Sequence, residues 1–239
     1  MRGLRQMLLV LPVLAFVHAP AQKQFEFGAQ LSPFAIATED LRMKMILMDS
    51  LQLGITSAHR ANPSLSAGIF ANYRYARNWM LRMEANLMDR AIFYAVTNPF
   101  HGLLRDKFTS GAIATTVNSS ITLHYNLSRK LTIGTGMAAQ FHFTSGGDID
   151  PTRSSRPDFI RLLNQADQAV KPVTLHHQIS VLWRLGRWNL GASFQRSLTS
   201  MTTSVVHKGV RYPLPTLHTE IYLLNIGYRL LKRGAPTNL

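Results

Sequence analysis

The chain has 239 residues, 46% of them hydrophobic and 9% aromatic, which is enough apolar surface to bury or embed most of its length and excludes extended disorder. Its 26 Lys and Arg against 12 Asp and Glu give a formal charge of +14, pointing to an anionic neighbour such as phospholipid, lipopolysaccharide phosphate or nucleic acid. Cysteine is absent, which excludes disulfides, zinc-thiolate sites and thiol catalysis.

Residues 1–21 read as a cleaved export signal. Arg2 and Arg5 form a basic start, "MLLVLPVLAFV" (7–17) an apolar stretch, and "APA" (19–21) a small-residue cleavage site, with removal expected before Gln22. The apolar run is shorter than the roughly 18–20 residues that cross a bilayer as a helix. Removing Arg2 and Arg5 leaves 24 basic against 12 acidic residues, about +12. Export also removes nucleic acid from the expected partners.

From Gln24 onward the pattern has period two, the mark of a half-buried strand. Phe25, Phe27, Ala29 and Leu31 alternate with Gln24, Glu26, Gly28 and Gln30. After a long connection, Leu65, Ala67, Ile69, Ala71, Tyr73 and Tyr75 oppose Ser66, Gly68, Phe70, Asn72 and Arg74. The short turn "ARN" leads to Trp79, Leu81, Met83, Ala85 and Leu87 against Arg82, Glu84 and Asn86. A second long connection precedes Val117, Ile121, Leu123 and Tyr125, then the turn "LSRK", then Leu131, Ile133, Met137, Ala139, Phe141 and Phe143. Asn118, Thr122, His124, Asn126, Gln140 and His142 occupy the other face of that pair.

The third long connection holds Asp148, Asp150 and a short helix predicted in "DFIRLLNQADQAV". Beyond it, Val173, Leu175, Ile179, Val181 and Trp183 alternate with Thr174, His176, Gln178, Ser180 and Arg184. The turn "LGRW" opens a strand with Trp188, Leu190, Ala192 and Phe194 on one face. A last long connection leads to Tyr222, Leu224, Ile226, Tyr228 and Leu230 opposite Asn225, Gly227 and Arg229.

Eight strands are therefore predicted, joined by three tight and four long connections in strict alternation. That asymmetry is the signature of an all-β, antiparallel, up-and-down transmembrane barrel with short periplasmic turns and long external loops. The expected organisation is a signal over 1–21, the barrel over 22–231 and a tail over 232–239. Eight strands leave an interior that side chains fill, so a polar lumen held by Glu26, Arg74, Arg82, Glu84, Arg184 and Arg229 is expected in place of an open pore. A soluble lipocalin-like barrel would swap the two faces. All three Trp lie beside short turns and the apolar face carries almost no charge, which favours the membrane.

The segments "PSLSAGIFANYRYARNWMLRMEANLM" (63–88), "ITLHYNLSRKLTIGTGMAAQF" (121–141) and "IYLLNIGYRLL" (221–231) resemble the Bacteroidetes outer-membrane β-barrel domain family, often called PorT-like. Its pattern is a Gly-rich strand, a basic turn and an acidic residue in the next strand, and Glu84 stands at that acidic position. The sequence departs from the pattern at the "KRGAPTNL" tail, the non-aromatic end, and His124 and Asn126. The resemblance implies an outer-membrane location and a barrel fold, and no activity.

The remaining candidates carry less specific signals. His142 and His176 lie on the polar face of strands joined by the third loop and are the candidate pair for a divalent metal with Asp148 or Asp150, although histidine is also an ordinary lumen residue. "GGDIDP" lacks the further carboxylates of a calcium loop. A lipid-acting enzyme would need a nucleophile beside a His and a carboxylate. There is no His-x-Ser in the chain, and His218 with Glu220 is the best remaining pair, so no enzymatic activity and no cofactor are expected. Basic residues at the turns (Arg77, Arg129, Lys130, Arg187) and in the loops (Arg60, Arg105, Lys107, Arg153, Arg156, Lys208, Arg211) read first as solvated charge. The expected role is structural or binding, in a monomeric barrel among outer-membrane lipid, lipopolysaccharide and envelope proteins. A lipid-modifying enzyme and a soluble periplasmic ligand carrier are the alternatives.

Overall fold

The computed structural model describes residues 24–38, 44–48, 51–58, 64–76, 78–97, 107–145, 157–214, 216 and 218–233. The export signal, Arg60, Arg77, Arg105, Asp148, Asp150, Arg153, Arg156 and the last six residues lie outside these.

The elements in chain order are β1 (Gln24–Thr38), β2 (Lys44–Met48), β3 (Leu51–Ala58), β4 (Ser64–Arg74), β5 (Trp79–Thr97), β6 (Lys107–Asn126), β7 (Leu131–Ser145), α1 (Pro157–Gln168), β8 (Val173–Leu185), β9 (Trp188–Ser197), β10 (Ser204–His207), β11 (Val210–Pro213) and β12 (Glu220–Arg233). Eight of these close into a barrel in the order β1, β4, β5, β6, β7, β8, β9, β12 and back to β1, every pairing antiparallel. Closure leaves no open edge within the ring.

Each strand keeps its alternation because one face meets a crowded interior and the other does not. On β8, β9 and β12 the inward residues are buried and the outward ones exposed along most of the length. The exposed set is large and apolar: Leu65, Leu87, Ile121, Ile133, Ile179, Leu190, Leu224 and Ile226 among others. The buried set is mostly polar or charged, from Glu26 and Arg82 to Gln140, His176 and Gln195, with a few apolar residues such as Phe70 and Leu182 among them. A water-soluble barrel has the opposite arrangement.

On β5 the outward residues run from Trp79 to Leu87 before Asp89, which accepts a hydrogen bond from Thr115 (3.2 Å). Eight residue steps at ~3.3 Å, on a strand tilted ~40°, give an apolar band about 20 Å tall, close to the height of an outer-membrane belt. Trp79 stacks edge-on against Tyr125 (5.0 Å) and Trp188 against Tyr228 (4.9 Å), both beside the short turns. Such an aromatic row is the physical marker of a membrane interface.

The short turns follow from local chemistry. At Gly186–Arg187, Leu185 faces Trp188 and only Gly186 has positive φ (63°), the type II′ hairpin that accepts Gly first. At residues 127–130, the Ser128 hydroxyl accepts from the Lys130 and Leu131 amides (3.2 and 3.0 Å).

The long connections are more ordered than the alternation predicts. The first contains the hairpin β2–β3, whose second strand pairs with the upper part of β5. The last contains the hairpin β10–β11, turning at Lys208 and Gly209, both with positive φ. Lys107, expected in a loop, begins β6, and β12 continues to Arg233, two residues past the expected barrel end. The helix predicted in the third connection is α1, and it packs on β10, β5 and β6. Phe159, Ile160, Leu162, Leu163 and Ala166 of α1 gather with Leu53, Met201, Val205 and Leu214 into an apolar core. The loops thus form a folded cap at one end of the barrel. Beneath it the inward-facing Met88, Ile221 and Leu223 form a smaller apolar layer.

Candidate functional site: the filled lumen

The lumen is built from the inward positions of the strands, and among the described side chains six of those positions carry charge. Arg82 of β5, three residues from the start of its strand at the short turn, is the hub of this charged group. Its Nε donates to Glu84 Oε1 (2.5 Å), Nη1 to Asn72 Oδ1 (3.1 Å) and Nη2 to Gln30 Oε1 (2.7 Å), and the guanidinium sits 4.3 Å from the centroid of the Phe70 ring. Gln30 then donates to Asn86 (2.7 Å), and Ser120 donates to Glu84 (3.3 Å). Arg82 and Glu84 side chains are 2% and 4% exposed, so the pair persists only because each remaining polar atom has a partner.

Toward the short turns a second group follows. Arg229 Nη1 donates to Glu26 Oε1 (2.7 Å) and Nη2 to the Gly186 carbonyl (2.8 Å), while Asn72 donates to the other Glu26 oxygen (3.2 Å). Arg74 donates to Gln24 (3.2 Å), and Arg184 donates to Asn126 (3.3 Å) and touches Met80 Sδ (2.9 Å). The six charged residues therefore lie in one connected region, with amides between them. The gap lined by Gln24, Glu26, Asn72, Arg74 and Met80 has no room for a water molecule.

Sequence patterning did not single out Phe70. It is 1% exposed, and Gly28 on the neighbouring strand makes its place: a Cβ there would collide with the ring and with the Tyr228 carbonyl. The clue available in the sequence is a phenylalanine in the polar register of β4 facing a glycine in the polar register of β1.

The middle of the lumen is neutral. Gln140 donates to Gln195 (3.3 Å) and Gln195 to Gln178 (2.9 Å). His142 and His176 do approach one another, but through a hydroxyl: Thr174 Oγ1 lies 2.9 Å from His142 Nε2 and 3.0 Å from His176 Nε2, and Thr116 Oγ1 lies 3.1 Å from His142 Nδ1. Among the described residues no group of three His, Asp or Glu is placed to hold a metal ion. His124 bonds to Thr122 (2.8 Å), Ser180 (3.3 Å) and Thr132 (3.4 Å). These imidazoles act here as hydrogen-bonding filler.

His218 and Glu220 lie at the loop end of β12. His218 Nδ1 is 3.3 Å from Ser197 Oγ, whereas the Glu220 carboxylate is 3.9 Å from Arg196 Nε and accepts from Tyr222 (3.4 Å). Among the described residues the carboxylate partners are thus Arg196 and Tyr222, not the imidazole, so the three groups do not form a nucleophile relay.

No family model matches the chain, and no curated protein matches it. Among solved structures it is similar to the attachment invasion locus protein Ail of Yersinia pestis, crystallised with the heparin analogue sucrose octasulfate (TM-score 0.41, 8% identity, covering 89% of this chain and 100% of that one). It is also similar to the outer membrane protein OprG of Pseudomonas aeruginosa (TM-score 0.42, 12% identity, 91% and 98% covered). A third likeness is to outer membrane protein W of E. coli (TM-score 0.42, 11% identity, 89% and 100% covered).

Proposed function

We propose that this chain is an outer-membrane β-barrel of structural or binding role, which holds a folded cap outside the bilayer on a sealed, non-conducting stem. The observation that carries this reading is the inversion of the two faces: charged side chains locked together inside, and outside a largely apolar belt with aromatic rows, interrupted by the Thr135–His177 pair. The packed charge network toward the turns and the apolar layer of Met88, Ile221 and Leu223 toward the loops support a closed interior. The resemblance of three segments to PorT-like Bacteroidetes barrels supports the same location, and the export signal supplies the route. The cap then offers the surface on which an envelope partner or an external molecule docks.

Carbonate-washed membrane fractionation tests this, combined with gel mobility of the extracted protein before and after boiling and planar-bilayer recording. The expected result is retention in the outer membrane, a band that shifts on boiling, and no stepwise conductance. Recovery in the soluble periplasmic fraction would overturn the reading and replace the anchor with a ligand carrier.

A further inference from the structure

Register turns the outer wall of β8, β9 and β12 into a series of three-residue rows, one residue from each strand. From the short turns upward they are Trp183–Leu190–Ile226, Val181–Ala192–Leu224, Ile179–Phe194–Tyr222 and His177–Arg196–Glu220. The second row is hollow because its central residue is Ala192, whose methyl group lies between two branched neighbours and below the Phe194 and Tyr222 rings (centroids 5.1 Å apart). The hollow is a groove of about 640 Å³, opening to the outside of the barrel and lined by Ile179, Val181, Ala192, Phe194, Tyr222 and Leu224. That volume lies within the range of small-ligand sites, about 300–1,000 Å³.

The row directly above the groove is polar. His177 is held by Thr135 (2.9 Å), and Arg196 and Glu220 face each other at 3.9 Å with side chains 69% and 38% exposed. These two stand on adjacent strands, whose backbones lie about 4.8 Å apart. The phosphate and the amine of an ethanolamine link, separated by two carbons, match that spacing and that order of charge.

Resting on the membrane-barrel reading above, we infer that this strip is a lipid site. One acyl chain lies in the hollow over Ala192, the phosphate of a phosphoethanolamine headgroup meets Arg196 and His177, and its ammonium meets Glu220. The occupant comes from the bilayer, because the groove opens on the apolar belt and not on the lumen. A primary ammonium donates hydrogen bonds to a carboxylate and a trimethylammonium does not, so the headgroup is selected by Glu220 and the chain by the hollow.

The test is native mass spectrometry of the full barrel in detergent, titrated with phosphatidylethanolamine, phosphatidylcholine and phosphatidylglycerol of identical chains. One phosphatidylethanolamine should be retained at least tenfold better than either other lipid. Ala192→Trp, which fills the hollow, should lower retention of all three at least tenfold, while Ala67→Trp on the outward face of β4 should leave it unchanged. Glu220→Gln should abolish the preference over phosphatidylglycerol without loss of overall binding, and Arg196→Gln should weaken all three. Equal retention by the Ala192→Trp variant, or no headgroup preference in the parent, would overturn the inference. Every sample is run unboiled and boiled: a parent that fails to shift on boiling counts against the membrane barrel itself, whereas a shifting barrel that retains no lipid counts against this site alone.

Discussion

The two ends of the barrel are closed by opposite chemistry. At the turn end the interior is shut by guanidinium, carboxylate and amide groups, with Arg229 on Glu26 and Arg82 on Glu84. At the loop end it is shut by hydrocarbon: Met88, Ile221 and Leu223, then the cap core around α1. The difference teaches what each environment supplies. Inside a ring whose outer face is committed to lipid, the alternation forces polar residues inward, and most of them pair with one another, although among the described residues Ser66 Oγ, Asn86 Nδ2, Asn189 Nδ2 and Ser193 Oγ are buried without a hydrogen-bond partner. Above the ring, water surrounds the loops, so the ordinary hydrophobic effect operates and a small core of Leu, Ile and Phe assembles as it would in a soluble domain.

The largest effect should come from breaking the polar end. Arg82→Met leaves Glu84 buried without its guanidinium, and Gln30 and Asn72 each lose a donor. Removing one member of a buried ion pair costs about 3–5 kcal/mol. Urea unfolding followed by the boiling-dependent gel shift should show that loss, and Arg82→Met with Glu84→Gln should recover at least half of it. Equal losses in the single and double variants would mean that packing against Phe70, and not the charge pairing, is what Arg82 contributes.

The apolar end should respond differently. Leu163→Ala removes a side chain that is 2% exposed from the cap core, at about 2–5 kcal/mol. Because α1 lies outside the ring of strands, the loss should fall on the cap alone. Trypsin should then cut after Arg161, whose side chain is 67% exposed, while the unboiled gel band keeps its position. Simultaneous loss of the gel shift would show that cap and barrel unfold as one unit, and would erase the contrast between the two ends.

How legible each end was in the sequence follows the same division. The ring was readable because a membrane strand imposes period two over ten or more residues, and Glu26, Arg74, Arg82, Glu84, Arg184 and Arg229 all fall in the inward register that their neighbours define. Their pairing was not readable. Which carboxylate meets which guanidinium depends on register across strands far apart in sequence, such as Glu26 with Arg229, 203 positions away. The cap was mostly hidden, since β2–β3 and β10–β11 are strands of 4–8 residues, too short to establish a period, and β3 pairs with the part of β5 beyond the membrane belt. Only α1 announced itself, through the apolar spacing of Phe159, Ile160, Leu163 and Ala166. The hollow over Ala192 is a fact about three strands at once, and a small residue in an apolar run carries no signal until its neighbours are known.

The smallest effect separates a turn that shapes the barrel from one that merely joins it. Gly186 has φ of 63°, and a Cβ at that position meets nothing within 4 Å, so Gly186→Ala tests backbone conformation without any steric clash. A left-handed conformation costs an L-residue about 1–2 kcal/mol, and alanine also restricts the unfolded chain, which offsets part of that. A net loss of about 1 kcal/mol in urea unfolding is expected. The Gly186 carbonyl also accepts from Arg229, so a turn that relaxes to another type moves one anchor of the charge group on Glu26. If Gly186→Ala and Glu26→Gln are independent, their losses add. A combined loss smaller than the sum would mean that the hairpin turn and the lumen pair report the same local opening, which makes the turn end of the barrel one cooperative unit.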